Sequence, residues 1–481
     1  MQNGVVLITY ADSLGGNLRA LHSGLKDNFH GCFSGIHILP FFPSSGDRGF
    51  SPVTYSEVDS AFGTWEDIAS LGTDYELMAD FMINHISRKS VYYENWIESE
   101  DESPYSGLFL PVDKIFGEDG PTEEEVSAIY RRQPTEPWLT IRFSSGKERR
   151  LWCTFSDEQI DIDIASEEGL KLFIDTIKQL SSVGIKMIRL DAVGYITKKR
   201  GTSCFMVEPE IWERLETLKN IASKYAVEIL PEMHEHYSIQ LKMASRGYPV
   251  YDFALPLLLL YSWYAEDFSP LKHWLSICPR NQFTTLDTHD GIGVVDAADL
   301  LTPRQTDFTI EKLYSRGSNI KRKYSTAEYQ NLDIYQVNCT YYSALGEDDD
   351  AYIMARAIQF FTPGIPQIYY VGLLAGQNDL ELVERTRNGR DINRHDYTTA
   401  EIEAEQNRPV VRRLKSLLRF RMDCRAFAGV FSLSEEPDRK KIELIWSSED
   451  ETAVLSVNIS EKDILITHRK NENEILHEFR P

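Results

Sequence analysis

The chain has 481 residues, 42% of them hydrophobic and 26% charged, with 74 acidic against 51 basic side chains and a formal net charge of −23. That length suits one large barrel with appended pieces, and the composition is that of an ordinary globular enzyme. The acidic balance argues against nucleic acid or an anionic membrane as partner, since both need a basic footprint, and it requires local cations to hold any anionic substrate.

The N-terminal MQNGVVLITYADSLGG has neither a charged leader nor a long apolar run. PLLLLYSWYA falls short of the about 18–20 apolar residues of a membrane span, so neither signal peptide nor anchor is expected. Cys32, Cys153, Cys204, Cys278, Cys339 and Cys424 lack CxxC spacing and read as buried free thiols of a reducing, cytoplasmic compartment.

Eight short apolar or β-branched runs read as strands: GVVLITYAD with its core at 4–11, GIHILPFF (35–42), YELMADFMINH (75–85), IKMIRLDAVGY (185–195), AVEILPEMHE (226–235), VYDFALP (250–256), QFTTLDTHD (282–290) and GIPQIYYVG (364–372). Leu170, Phe173, Ile174 and Ile177 mark one intervening helix stripe, and Ile211, Leu215, Leu218 and Ala222 another. Eight strands alternating with helices predict an α/β fold, a closed (β/α)8 TIM barrel. Residues 86–167 and 291–357 are too long for ordinary connections and are expected to be two insertions, B and B′, on the face where barrel active sites form. The barrel would then comprise 1–85, 168–290 and 358–430. From 431 to 481, KIELIWSS, TAVLSVNIS and KDILITHR alternate at period two and predict a C-terminal antiparallel β domain.

The strand at 185–195 poses a chemical question. Ile185 and Met187 share a face with Arg189 and Asp191, so a cation and an anion follow apolar residues inward. Desolvating both costs more than their pairing securely returns, which makes a chemical role the better explanation. Other strands end similarly, with Asp80, Asn84 and His85, with Glu232 and His234, and with Asp287, His289 and Asp290. Carboxylates with cationic and imidazole neighbours suit glycoside chemistry, in which one attacks the anomeric carbon and a protonated second serves the leaving oxygen. Glu232, in the apolar ILPEMH, suits the acid, and Asp191, beside Arg189, should stay ionised and suits the nucleophile. A metal site is the competing reading, but HExxH and His-x-His motifs are missing and Arg189 is a poor neighbour for a cation.

DFMINH (80–85), IRLDAVGY (188–195), LPEMH and LDTHD (286–290) resemble, in order, the four short motifs of the α-amylase family of retaining glycosidases. The resemblance implies Asp191 as nucleophile, Glu232 as general acid/base and Asp290 as transition-state stabiliser, with His85, Arg189 and His289 in the glucose subsite. FFPSSGDRGFSPVTYSEVD (41–59), VYDFALP, LDTHDGIGVVD, NLDIYQVN (331–338), CTYYSALG and GRDINRH (389–395) are similar to the sucrose phosphorylase group of that family over nearly the whole chain. That similarity adds Asp47, Phe50, Gln159, Tyr195, His234 and Arg394 to the glucose pocket. It implies Tyr130, Arg132, Gln133, Leu332, Asp333, Tyr335 and Gln336 on the acceptor side, where sucrose and fructose exchange with inorganic phosphate and glucose 1-phosphate. No metal and no cofactor are implied, and a homodimer is.

Asp333 suits free fructose and would repel a 6′-phosphate. Gln133 stands where several relatives carry a cation, which leaves three readings: a register offset of one residue, Arg132 as the phosphate seat, or weaker phosphate binding. The other cationic run, IKRKYST (320–326) with Lys321, Arg322 and Lys323, is also a solvated-face candidate. Relatives with the same glucosyl-enzyme and another acceptor are the alternative: sucrose hydrolase, or phosphorylases of glucosylglycerol, glucosylglycerate or sucrose 6′-phosphate.

Overall fold

The structure, a computed structural model, describes residues 4–131, 135–318, 336–470 and 474–479. Eight parallel strands form a nearly closed barrel: β1 (Val6–Thr9), β2 (Gly35–Ile38), β3 (Glu76–Met82), β4 (Ile185–Asp191), β5 (Glu228–Pro231), β6 (Val250–Asp252), β7 (Gln282–Thr284) and β8 (Ile365–Tyr369). Their order is β6-β7-β8-β1-β2-β3-β4-β5, so neighbours in the sheet are neighbours in the series. All eight fall inside the runs read as strands, and the (β/α)8 expectation holds. The observed strands are shorter because each run continues past its last ladder bond into the loop that carries its polar residues. The chain divides into two compact units, residues 38–233 and residues 1–37 with 234–481.

Within the 38–233 unit, β3 and β4 pair so that Asp80 lies opposite Arg189 and Met82 opposite Asp191. On the other side of β4, Arg189 lies opposite Leu230 of β5. The helix Glu167–Ser182 starts at Ser166, whose side chain accepts from the Gly169 N–H, with Glu167 and Glu168 in its first turn. It buries Leu172, Phe173, Thr176, Ile177 and Leu180. Leu170 and Ile174, expected on this stripe, are only half-buried, because the packed face is rotated towards Leu172 and Leu180. The helix Glu210–Ser223 buries Ile211, Leu215, Leu218 and Ala222 as expected, and Trp212 besides. Each large apolar side chain so buried stabilises by about 1.5–3 kcal/mol.

The long segment after β3 has its own small core, in which Phe116, Trp138 and Trp152 pack with Leu110, Val112 and Ile129. Its antiparallel ribbon pairs Trp138–Arg142 with Glu148–Trp152. A second ribbon, His85–Ser87 with Gln159–Asp161, joins the returning chain to the residues that follow β3.

In the other unit, β1 pairs with β8, and β7 pairs with both β6 and β8. The helix Asp349–Phe361 is buried at every residue from Ala351 to Phe361, Arg356 and Gln359 included. The C-terminal antiparallel sheet has five strands: β9 (Val430–Leu433), β10 (Lys441–Ser447), β11 (Glu451–Asn458), β12 (Asp463–Lys470) and β13 (Glu474–Phe479). Three of these were legible from alternation. All six cysteines are buried and free, and among the described residues no helix is long and apolar enough to cross a membrane.

Candidate functional site

In the 38–233 unit the charges of β4 form one connected group. Arg189 Nη1 lies 2.6 Å from Asp80 Oδ1 and 2.8 Å from Asp191 Oδ1, and its Nη2 lies 3.8 Å from Glu232 Oε1. Asp80 and Arg189 are sealed, with 0% and 4% of their side-chain surface exposed, whereas Asp191 keeps 15% and Glu232 12%. The two carboxylates left open to a ligand are therefore those expected to act on it. The cross-strand register explains the arrangement. Asp80 neutralises Arg189 from β3, and Arg189 then has a second face for the carboxylates beyond the ends of β4 and β5.

The chain turns sharply after Asp191. Ala192 adopts φ 60°, ψ 35°, a left-handed conformation costly for a residue with a Cβ. Its N–H donates to Glu232 Oε2 at 3.1 Å, and the Glu232 N–H donates to the Leu190 carbonyl at 3.0 Å. The nucleophile and acid candidates are thus tied through backbone as well as through Arg189.

Around this group the structure gathers several expected sugar-binding residues. The Phe50 carbonyl accepts from Gln159 Nε2 at 3.0 Å and lies 3.0 Å from His85 Nε2. The Arg189 guanidinium sits 5.8 Å from the Phe50 ring centre. Tyr195 stacks at 6.2 Å on Tyr130 and meets Phe155 edge-on at 5.1 Å and Phe205 at 4.8 Å. Phe155 and Phe205 belong to no motif, and nothing in the sequence singled them out. Asp47 lies in the turn Asp47–Gly49.

The buried ammonium of Lys198 ties three segments together. It lies 2.7 Å from Asp161 Oδ2 and donates to Asn84 Oδ1 at 3.0 Å and to the Tyr195 carbonyl. Asn84 follows β3, Asp161 ends the insertion's ribbon, and Tyr195 follows the nucleophile candidate.

In the other unit, Asp290 keeps 12% of its side-chain surface exposed, with Arg390 Nη1 3.4 Å from its Oδ1 and His289 Nε2 3.5 Å from its Oδ2. Asn393 Nδ2 donates to the Thr288 and Asp290 carbonyls at 3.0 and 3.1 Å. Arg394, expected in the glucose pocket, is fully buried, and its Nε donates to the His289 carbonyl at 3.1 Å. Arg390, from the same GRDINRH stretch, is the arginine whose guanidinium faces the Asp290 carboxylate, and sequence reasoning passed over it. His234 is buried, its ring stacked on Phe253 at 3.8 Å.

Asp287 is held from below by Arg356, with Nη2 2.6 Å from Oδ2. A Cβ at Gly372 would lie 2.0 Å from Asp287 Oδ2 and 2.2 Å from Arg356 Nη2, so the backbone approaches this pair as only glycine can. Burial would lower the arginine's pKa, but the Asp287 carboxylate and Tyr352 outweigh it and drive the value up.

On the acceptor side, Gln336 is half-buried and pairs with Gly293 in a two-residue ribbon. Arg131 and Thr135 border a small polar cleft together with Glu136, Cys153, Thr154 and Asp157. Arg132, Gln133, Leu332, Asp333 and Tyr335 lie outside the described residues, as do Lys321, Arg322 and Lys323. Among the described residues of this unit, Cys424, Glu451 and His468 bring three ligand-type atoms within 4.8 Å of one another in the C-terminal domain. There His468 Nε2 is already 2.9 Å from Glu451 Oε2.

Residues 30–246 match the model of the α-amylase catalytic domain. The chain is 50% identical to a sucrose phosphorylase of Streptococcus mutans, over 98% of both chains. It is 44% identical to a sucrose 6(F)-phosphate phosphorylase of Thermoanaerobacterium thermosaccharolyticum, over 95% of both. The crystal structure of a sucrose 6F-phosphate phosphorylase from Thermoanaerobacter thermosaccharolyticum superposes with a TM-score of 0.95 at 42% identity, covering 100% of this chain and 98% of that one. The chain therefore belongs to the α-amylase family, among the glycosyl-transferring phosphorylases that include sucrose phosphorylase.

Proposed function

We propose that the protein catalyses the reversible phosphorolysis of sucrose to α-glucose 1-phosphate and fructose, with net retention at the anomeric carbon. The observation that carries this reading is the Arg189 node. One buried guanidinium orients the Asp191 carboxylate at 2.8 Å and approaches Glu232 at 3.8 Å. Asp191 attacks C1 of the glucosyl unit as Glu232 gives its proton to the fructosyl oxygen. The C1–O bond breaks, and a β-glucosyl ester forms on Asp191. Phosphate then attacks C1 from the face fructose has left and passes its proton to the Glu232 carboxylate as the ester C–O bond breaks, which restores both carboxyl groups. Asp290, partnered by Arg390 and His289, stabilises the positive charge that develops on the ring in both steps.

Phe50 and Tyr195 give the sugar ring and the developing cation apolar faces, while His85, Gln159, His289 and Asp47 hold hydroxyls. Arg394 contributes by supporting the His289 backbone. Residues 86–167 and 291–357 are assigned as the insertions that carry the acceptor side, with phosphate near Tyr130–Gln133 and fructose near Leu332–Gln336. Asp333 in NLDIYQVN favours free fructose over its 6′-phosphate by charge, which separates this proposal from phosphorolysis of sucrose 6′-phosphate. The buried free thiols support a reducing, cytoplasmic compartment, and the family resemblance supports a homodimer.

The test is incubation with sucrose or sucrose 6′-phosphate, with and without inorganic phosphate, followed by NMR of the products. Phosphate-dependent α-glucose 1-phosphate from sucrose is expected. Free glucose unaffected by phosphate would make the protein a hydrolase, and turnover of the 6′-phosphate alone would reassign the acceptor.

A further inference from the structure

The His234 imidazole is fixed by more than its strand. Its ring lies nearly parallel to Phe253, 17° off plane at 3.8 Å, and Phe253 in turn stacks on Tyr251 at 4.8 Å. The stack fixes the plane of the imidazole but not which nitrogen carries a proton. On the ring's edge, Nδ1 lies 3.3 Å from Asp296 Oδ2, and both side chains are almost wholly buried, with 4% and 3% of their surface exposed. Asp296 sits in the short turn Val295–Ala297, at the end of the LDTHDGIGVVD stretch. Nothing in the reaction as derived uses it. The approach to it is tight, since a Cβ at Gly293 would come 2.1 Å from Asp296 Oδ2.

We propose that Asp296 is a positioning residue which holds His234 in the Nδ1-protonated form and so commits Nε2 to the ligand. An ionised carboxylate only accepts hydrogen bonds, so the nitrogen facing it must be the donor. In the neutral ring, Nε2 then presents a lone pair that accepts from a sugar hydroxyl. The turn carrying Asp296 begins five residues after Asp290, so one loop supplies both the charge stabiliser and the partner of His234. The tie to catalysis rests on the glucosyl-transfer reading above; the tautomer assignment does not.

Two measurements separate these parts. In protein labelled with 15N-histidine, with His234 assigned by its loss in His234→Gln, Nδ1 of the wild type should carry the proton and Nε2 should not in the neutral form. A wild-type His234 protonated at Nε2 alone overturns the proposal without any variant. Asp296→Ala should release the ring to a mixture of tautomers and lower kcat/KM for sucrose by about 10–100-fold, the range for removing a group that orients a ligating histidine. Asp296→Asn keeps an acceptor oxygen and should hold the tautomer and recover most of that loss, which a purely structural role would not predict. An Asp296→Ala protein that keeps the Nδ1–H form, or an active one within about threefold of wild-type kcat/KM, overturns the assignment. A wild type inactive on sucrose would overturn the functional reading, while the tautomer of His234 would still decide the pairing.

Discussion

Replacing Lys198 with methionine keeps the chain length and removes the charge, and its cost follows from the burial of the site. The Lys198 and Asp161 side chains expose 1% and 0% of their surface, so neither ion has water to fall back on. Stranding one member of such a pair costs about 3–5 kcal/mol. Asp161 retains the Thr154 N–H at 2.8 Å and the Thr154 hydroxyl at 2.5 Å, which moves its own share to the low end of that range. Asn84 and the Tyr195 carbonyl each lose a donor at the same time, adding about 1 kcal/mol apiece. The sum is about 5 kcal/mol, read as a shift in the urea unfolding transition. The double variant Lys198→Met with Asp161→Asn leaves no orphan charge and should lose less than the two singles added together. Since Tyr195 follows the strand that ends at Asp191, KM for sucrose should rise in the single variant. A loss below about 1 kcal/mol, or strict additivity in the double, would refute the reasoning.

Two further outcomes follow from buried groups away from the reacting atoms. Gly372→Ala drives a methyl into the Asp287–Arg356 pair, and should cost about 3–5 kcal/mol and lower kcat through the strand end that carries Asp290; thermal unfolding and sucrose turnover check this. Asp252, buried and accepting from the Trp274 indole at 3.0 Å, has its carboxyl pKa pushed up to about 6, burial being the main cause. Because the folded value is above the unfolded one, its contribution is fully present below the unfolded carboxyl pKa and is lost as pH rises through about 6. Measured by urea unfolding from pH 4 to 7, the wild type should lose about 2 kcal/mol relative to Asp252→Asn.

The barrel was legible because each strand is a short apolar run that breaks into charge at its end, a pattern that survives without any knowledge of partners. Arg189 and Asp191 were legible for the same reason, as charges on a face begun by Ile185 and Met187. Their clamp was not, because Asp80 lies 109 residues away and reaches Arg189 only through the β3–β4 register. Lys198, in YITKKR, has the local signature of a surface lysine, and its burial is imposed by Asp161 from the insertion. The strands β9 and β13 escaped notice because VFSL is too short, and too exposed at Val430, to carry a pattern, and EILHEF alternates only weakly. The pairing of Asp296 with His234 links two loops, and periodicity carries no information about such contacts. Arg390 and Arg394 share one motif, and only burial distinguishes the guanidinium facing Asp290 from the one supporting backbone.

The central claim is a double displacement through Asp191. The most direct measurement is mass spectrometry of the Glu232→Gln protein after rapid mixing with an activated α-glucosyl donor whose leaving group needs no acid, followed by peptide mapping. One added glucosyl unit is expected on the peptide containing Asp191, discharged by azide as α-glucosyl azide in a step that needs no proton transfer, and absent in Asp191→Asn. A glucosyl unit on another residue, or turnover of sucrose undiminished in Asp191→Asn, would contradict it.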